Sequence, residues 1–251
     1  MPKTGGYARV MKVLELVGEE PMSVTNVAQS LGMSKGAASR LLASMIDAGF
    51  IERDPARRHI VSVKVWSLGV RSLQHMRIAD MARPLIYEAA RSSGISLYLA
   101  VVRDSNAYLL EQVTAPHGVA MSVPLANVIP HYASAPGKAI LAYASKEQTD
   151  AIFAQPLQAF TQHTITRRED WDREMTEVRA QGYALNAGEY WEDTLGIAVP
   201  VFDRTGAAVA SIGNSTSRSE FDQRYVERAA GVLQAVASTL SSALGFTPRA
   251  F

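Results

Sequence analysis

Three short amphipathic segments between residues 7 and 49, a hairpin pattern over residues 50–63 and alternating strand and helix patterns from residue 95 predict an α+β chain of two domains. The first set of patterns is that of a winged helix-turn-helix, the second that of a mixed sheet flanked by helices. At 251 residues, 47% hydrophobic and 20% charged, the chain is too long for one small helical domain and apolar enough for two cores.

Each N-terminal element has a local cause. Residues 7–20 place Val10, Val13, Leu14 and Val17 on one helical stripe, and Pro21 ends it. Residues 24–31 form a second helix, capped by Ser23 or Thr25, with Val27, Ala28 and Leu31 facing inward. Gly32-Met33 makes the turn, because glycine takes up the left-handed backbone that closes a helix at least cost. Ser34 caps a third helix with Leu41, Leu42, Met45 and Ile46 on its buried side, and Gly49 stops it. Runs 50–53 and 59–63 read as strands joined by Asp54-Pro55-Ala56-Arg57. Residues 66–76 and 78–93 read as two further helices. The expected division is a first domain over 1–65, a linker helix over 66–77 and a second domain over 78–251.

From residue 95 the period changes from helical to alternating. Runs 95–103 and 107–113 are strand-like, with Asp104-Ser105-Asn106 turning between them, and 119–123 adds a third strand. Helical patterns cover 137–144, 146–153 and 169–181. Strands at 183–185, 197–202 and 208–213 follow, the last two joined by Asp203-Arg204-Thr205-Gly206, and a long helix over 218–244 closes the series.

Composition excludes several classes. With no cysteine there are no disulfides and no thiolate metal sites, and a reducing cytoplasm is the expected location. Residues 1–11 hold no apolar stretch suited to a signal peptide, and no run approaches the roughly 18–20 apolar residues that cross a bilayer. The histidines at 59, 75, 117, 131 and 163 lack metal-ligand spacing, so neither metal nor other cofactor is expected. Pro136-Gly137-Lys138 is not a phosphate loop: Tyr132 stands where the first glycine belongs and Ala139 where the hydroxyl residue belongs. No Gly-x-Ser-x-Gly elbow supports Ser134 with His131 as nucleophile and base. Met45, Met76, Met81 and Met175 read as core filler.

Charge points to one end. Through Val65 there are nine Lys+Arg and six Asp+Glu, a balance of +3; the remainder has sixteen and eighteen, a balance of −2. The third helix presents Ser34, Lys35, Gly36, Ala37, Ser39 and Arg40 opposite its apolar side. Small residues let such a helix approach base edges, while Lys35 and Arg40 reach phosphates or guanines. Double-stranded operator DNA is the expected partner, with a solvated charged face as the plainer alternative. Arg57 and Arg58 at the hairpin tip suit the backbone or minor groove, or else an ordinary soluble turn. Arg53 pairs with Glu52 or Asp54, or meets phosphate.

The run Val27-Ala28-Gln29-Ser30-Leu31-Gly32-Met33-Ser34-Lys35, with Ser39-Arg40-Leu41-Leu42-Ala43-Ser44-Met45 and Ala48-Gly49-Phe50-Ile51-Glu52-Arg53-Asp54, resembles the IclR family of transcriptional regulators. Ser134-Ala135-Pro136-Gly137-Lys138-Ala139-Ile140-Leu141-Ala142 extends the resemblance, as do Gly182-Tyr183-Ala184, Glu189, Ala198-Val199-Pro200-Val201-Phe202-Asp203 and Gly206. It implies a GAF-like effector-binding second domain, a homodimer or dimer of dimers, and a palindromic or pseudo-palindromic operator. The family pattern usually has Ser-Thr where this chain has Gly36-Ala37, which suggests apolar contact through the Ala37 methyl.

The resemblance also places an effector cavity in the second domain. The loop Ser134-Ala135-Pro136-Gly137 precedes a helix, where free amides favour a carboxylate, or where Ser134 simply caps the helix. Ser211 and Gly213 lie near positions where the family often has ligand-facing serines, and Asn214 and Ser215 follow. Residues 186–195, with Glu189, Tyr190 and Trp191, are expected to cover the cavity. Gly196 takes a place often held by cysteine and Asn186 one often acidic. Both departures suggest an effector other than the small oxo-acids; with Tyr98 or Trp191 as an aromatic wall, a hydroxybenzoate-like carboxylic acid is a candidate. His131 contacts the ligand or caps locally.

The resulting expectation is a ligand-responsive DNA-binding regulator, in the repressing direction, with residues 64–77 as the mechanical link. Two other readings stay open: an enzyme using the second-domain cavity for hydrolysis, and a winged helix that binds protein instead of DNA.

Overall fold

The structure, a computed structural model, describes residues 6–74, 77–116, 128–219 and 221–247. The chain divides into two compact units, Met1–Met76 and Arg77–Phe251.

In the first unit, α1 (Gly6–Glu19), α2 (Val24–Ser30) and α3 (Lys35–Asp47) precede a hairpin of β1 (Ile51–Arg53) and β2 (His59–Val61), and α4 (Val63–Gln74) follows. Val13, Val17, Met22, Val27, Leu42, Met45 and Ile51 close one core against water. The start of each helix in the motif is fixed by a serine: Ser23 Oγ accepts from the Asn26 amide and Ser34 Oγ from the Ala37 amide. Gly32 (φ +61) and Gly49 (φ +77) take left-handed backbone where α2 and α3 end. The fourth helix begins at Val63 rather than 66. Ser62 Oγ accepts from the Lys64 amide at 3.2 Å and so nucleates it early, shortening the second wing strand.

The second unit runs α5 (Arg77–Ser93), β3 (Leu97–Arg103), β4 (Asn106–Val113), β5 (Val128–Pro130), a 3-10 turn (His131–Ala133), α6 (Ala135–Leu141), α7 (Lys146–Ile152), α8 (Arg168–Gln181), β6 (Ala184–Ala187), β7 (Thr194–Phe202), β8 (Ala208–Ser217) and α9 (Gln223–Ala243). The sheet has the order β5-β4-β3-β8-β7-β6. The sequence led to a mixed sheet, but every described pairing is antiparallel. The physical reason lies in the connections. The helices α6 to α8 join β5 to β6, the two opposite edges, so they are not a crossover between neighbouring parallel strands.

Asp104 (φ 47) and Ser105 (φ 69) both have positive φ, the backbone of a tight two-residue hairpin turn. Strands β7 and β8 run longer than their patterns indicate. Gly196 and Asn214 are weak strand formers held in register by their partners. Asp222 accepts from the Tyr225 amide at 2.7 Å, which delays α9 past residue 218. The expected strand at 119–123 lies outside the described residues; β5, which the pattern did not indicate, pairs with β4. No helix among the described residues is long and apolar enough to cross a membrane.

Candidate functional site

The third helix separates its two faces sharply. Ala38, Leu42 and Met45 are buried, while Ser34, Lys35, Gly36, Ser39 and Arg40 are exposed and Ala37 is half-buried. Gly36 has no side chain, so the Arg40 guanidinium lies along the helix over it, 3.9 Å from where a Cβ would stand. Among the described residues Lys35 and Arg40 make no side-chain hydrogen bond or ion pair. The Ser34 hydroxyl is occupied as the cap. The N-terminal end of α3 is thus small, cationic and open, the shape and charge a duplex groove accepts.

The hairpin tip splits two arginines that the sequence treats alike. The Arg58 amide donates to Asp54 Oδ1 at 2.8 Å, and its guanidinium to Oδ2 at 2.8 and 2.7 Å. Arg58 therefore closes the tip on itself. Arg57, in left-handed backbone (φ 62), is exposed and has no side-chain partner among the described residues. Arg53 pairs with neither Glu52 nor Asp54 in the same set. Of the two tip arginines, Arg57 is the one held outward.

In the second unit a small cavity opens between β3, β4, β7, β8 and the start of α6. Of the residues singled out in the sequence, Tyr98, Ser134, Ala135, Pro136, Asn186, Trp191 and Gly196 line it. Leu109, Ile129, Tyr190, Thr194 and Ser215 complete the wall. Its free volume is about 20 Å³, room for roughly one water. Gly137, Ser211, Gly213 and Asn214 stand elsewhere, each for a geometric reason, and His131 does not line the cavity. Gly137 is covered by the 3-10 turn: a Cβ there would collide with the His131 backbone. Ser211, Gly213 and Ser215 share one face of β8 by its period of two, but only Ser215 reaches the cavity. Ser211 Oγ donates to Pro136 O at 3.3 Å, and Gly213 provides the seat for the Tyr98 ring, which any Cβ at that position would overlap. Asn214 points to the other face, bonded to Ser96 O and to the Tyr225 hydroxyl on α9.

The loop before α6 offers fewer amides than its sequence suggests. Pro136 has no N–H, and Gly137 N is taken by Ser134 Oγ at 3.3 Å, which leaves Ala135. No charged side chain lines the cavity among the described residues. Ser215 Oγ is buried without a partner. Burial alone pushes the Tyr98 hydroxyl well above the usual tyrosine range.

A buried ion cluster includes Glu189, the residue before Tyr190 of the cavity wall. Lys138 on α6 is 1% exposed, and its Nζ donates to Glu174 Oε1 at 2.7 Å and Glu189 Oε1 at 2.5 Å. Burial raises the Glu189 carboxyl, outweighing Lys138, and its Oε2 has no partner. Glu189 sits at the base of the turn that carries Tyr190 and Trp191. Thr161 donates to Gly188 O at 2.7 Å, Thr164 to Glu189 O at 2.6 Å and Arg218 to Glu192 O at 2.8 Å. The aromatic cover is therefore pinned to α6 and its neighbours. Sequence reasoning gave Lys138 no role; a lysine in an otherwise apolar helix was the one signal for it.

His131 is buried beside this cluster's helix, and burial lowers its pKa from 6.5 to about 4. A depressed pKa means stability that is full above about pH 6.5 and lost as pH falls toward about 4. The loss attributable to His131 is on the order of 1–2 kcal/mol, because solvent still screens part of the ring. Urea unfolding of the wild type and His131→Gln across this window checks it: the variant loses less stability on acidification. Equal losses would show that His131 is not kept neutral by the fold.

A winged helix with an open cationic recognition end, and a separate sheet unit around a small cavity, define a transcriptional regulator with DNA-binding and effector-binding domains. Residues 70–242 match the bacterial transcriptional regulator IclR C-terminal domain, and residues 7–55 the IclR helix-turn-helix domain. The chain belongs to the IclR family, whose members are transcriptional regulators and not enzymes. It is 29% identical over 245 residues to the transcriptional repressor IclR of Escherichia coli, covering 93% of this chain and 89% of that one. An IclR transcriptional regulator from Alicyclobacillus acidocaldarius has the same fold, with a TM-score of 0.81 and 27% identity over 96% of this chain and 98% of that chain. An IclR homologue from Microbacterium hydrocarbonoxydans, solved with 4-hydroxybenzoate, shares the fold at a TM-score of 0.78 and 22% identity, covering 96% and 99%.

Proposed function

We propose that the chain is a repressor that binds a palindromic operator as a homodimer or dimer of dimers and is controlled by a small aromatic carboxylic acid. The observation that carries DNA reading is the cationic end of α3, exposed and unpaired among the described residues. Lys35 and Arg40 reach base edges and phosphates, Ala37 meets a thymine methyl, and Arg57 meets the backbone beside the groove.

One half-site contact is weak; linking two makes the second effectively intramolecular. The first unit supports pairing with a second copy, since Trp66 is 68% and Val63 73% exposed on α4, and Tyr7 and Met11 are exposed on α1. The repressing direction follows the name of the relative in Escherichia coli. A ligand that binds one arrangement of the effector domain better than another then shifts DNA affinity.

For the acid, the Ala135 amide and the Ser215 and Tyr98 hydroxyls are neutral donors, and Tyr98, Tyr190 and Trp191 form aromatic walls. A ring fits once the Tyr190 and Trp191 side chains rotate outward on the backbone that Thr161, Thr164 and Arg218 hold. The structural neighbour holding 4-hydroxybenzoate is consistent with such a ligand. Calorimetry with 4-hydroxybenzoate, benzoate and glyoxylate tests the reading. An aromatic acid binds best, quenches Trp191 fluorescence, and binds about tenfold more weakly to Ser215→Ala, the loss of one hydrogen bond to a charged group. Tighter binding of glyoxylate would refute the aromatic reading.

A further inference from the structure

We propose that Lys64 and Ser62 lock the start of α4 onto the end of α3, so that Lys64 positions the recognition helix without itself touching DNA. This rests on the reading of α3 as the helix that enters the groove. The last carbonyls of a helix lack internal partners and carry the negative end of its dipole. Lys64 Nζ supplies a cation there, donating to Ala48 O at 2.7 Å. Its stem crosses Gly49, with Cδ 3.4 Å from where a Cβ would stand, and its ammonium lies 4.7 Å from the Phe50 ring centre.

Ser62 works from the same side. Its hydroxyl donates to Gly49 O at 2.5 Å and accepts from the Lys64 amide at 3.2 Å, and its own amide donates to Phe50 O at 3.1 Å. One side chain thus ends the turn after α3 and begins α4. Residues 48–50 and 62–64 are joined across the wing by backbone, hydroxyl and ammonium together, so a change in the direction of α4 carries the end of α3 with it.

The lever is long enough to matter. The third helix has 13 residues, about 20 Å at 1.5 Å per residue, so a tilt of about 5° moves its far end by roughly 1.7 Å. That displacement takes Lys35 out of hydrogen-bond range of base edges, and Arg40, about 10 Å from the pivot, moves by about 1 Å. The same lysine is exposed, and direct contact with a DNA phosphate is the competing role; salt dependence separates the two.

The test uses the full chain and a duplex selected by the wild type from a random library, with an unrelated duplex alongside. Lys64→Met keeps the stem over Gly49 and removes the charge and the bond. It lowers affinity for the selected duplex about tenfold, leaves the unrelated duplex and the salt slope unchanged, and Lys64→Arg restores most of the loss. Ser62→Ala gives a loss in the same direction and serves as a second variant. A fall in both affinities with a salt slope reduced by about one would make Lys64 a phosphate contact and overturn the proposal. Unchanged binding by Lys64→Met, where Arg40→Ala loses it, would overturn the lock and leave α3 as the reader. Unchanged binding by both would overturn the two together.

Discussion

Replacing Lys35 and Arg40 together with alanine lowers operator affinity by roughly 1,000-fold or more, the largest functional effect expected of any exposed pair in the first unit. Each group is worth about 1–3 kcal/mol where it meets a guanine edge or a phosphate, and the proposed dimer loses each twice. Both side chains are exposed and unpaired among the described residues, so their removal leaves the core of Val13, Val17, Leu42 and Met45 intact. Gel-shift titration at fixed salt reads the loss. A circular dichroism melt reads the unchanged fold. Binding within a factor of about three of the wild type would contradict the assignment of α3.

Lys138→Met destabilises the second unit by about 3–5 kcal/mol, because it strands two carboxylates, Glu174 and the buried Glu189, without their shared cation. Glu189→Gln behaves oppositely. It keeps an acceptor for Lys138 and removes the cost of a buried charge, so stability near neutral pH stays within about 1 kcal/mol of the wild type or rises. The pH dependence follows from the raised Glu189 carboxyl. A raised carboxyl favours folding below its unfolded pKa, and that contribution is lost as pH rises through the folded value. The wild type therefore loses stability relative to Glu189→Gln as pH rises from the ordinary carboxylate range to neutrality. Urea unfolding at both ends reads the difference. Equal damage from the two substitutions would show that the cluster is held by packing and not by charge.

Much of the first unit was legible because its signals are local. Ser23, Ser34, Gly32 and Gly49 mark helix ends by their own chemistry, and they stand at those ends in the structure. The division of labour between Arg57 and Arg58 was not legible, since it depends on how Asp54 folds back across the tip. Lys64 was equally silent: its partner Ala48 lies 16 residues away, and a backbone carbonyl leaves no trace in composition.

In the second unit the strands were readable where β-branched residues alternate, and fell short where glycine and asparagine sit in a ladder held by its neighbours. The aromatic wall and the Ser134 loop came from the sequence. The placement of Ser211, Gly213 and Asn214 away from the cavity did not, because it is decided by which segment covers each point of one strand. Burial of the Lys138 cluster is a property of three separate elements brought together. No window along the chain contains it.

The most direct test of DNA reading by α3 is dimethyl sulfate protection on the duplex selected by the wild-type protein, since the reagent methylates guanine N7 in the major groove. Two protected guanine clusters are expected, related by symmetry and about one helical turn apart or a multiple of it, and both are lost in Arg40→Ala. Full reactivity of every guanine N7 beneath a bound protein would contradict a recognition helix seated in that groove.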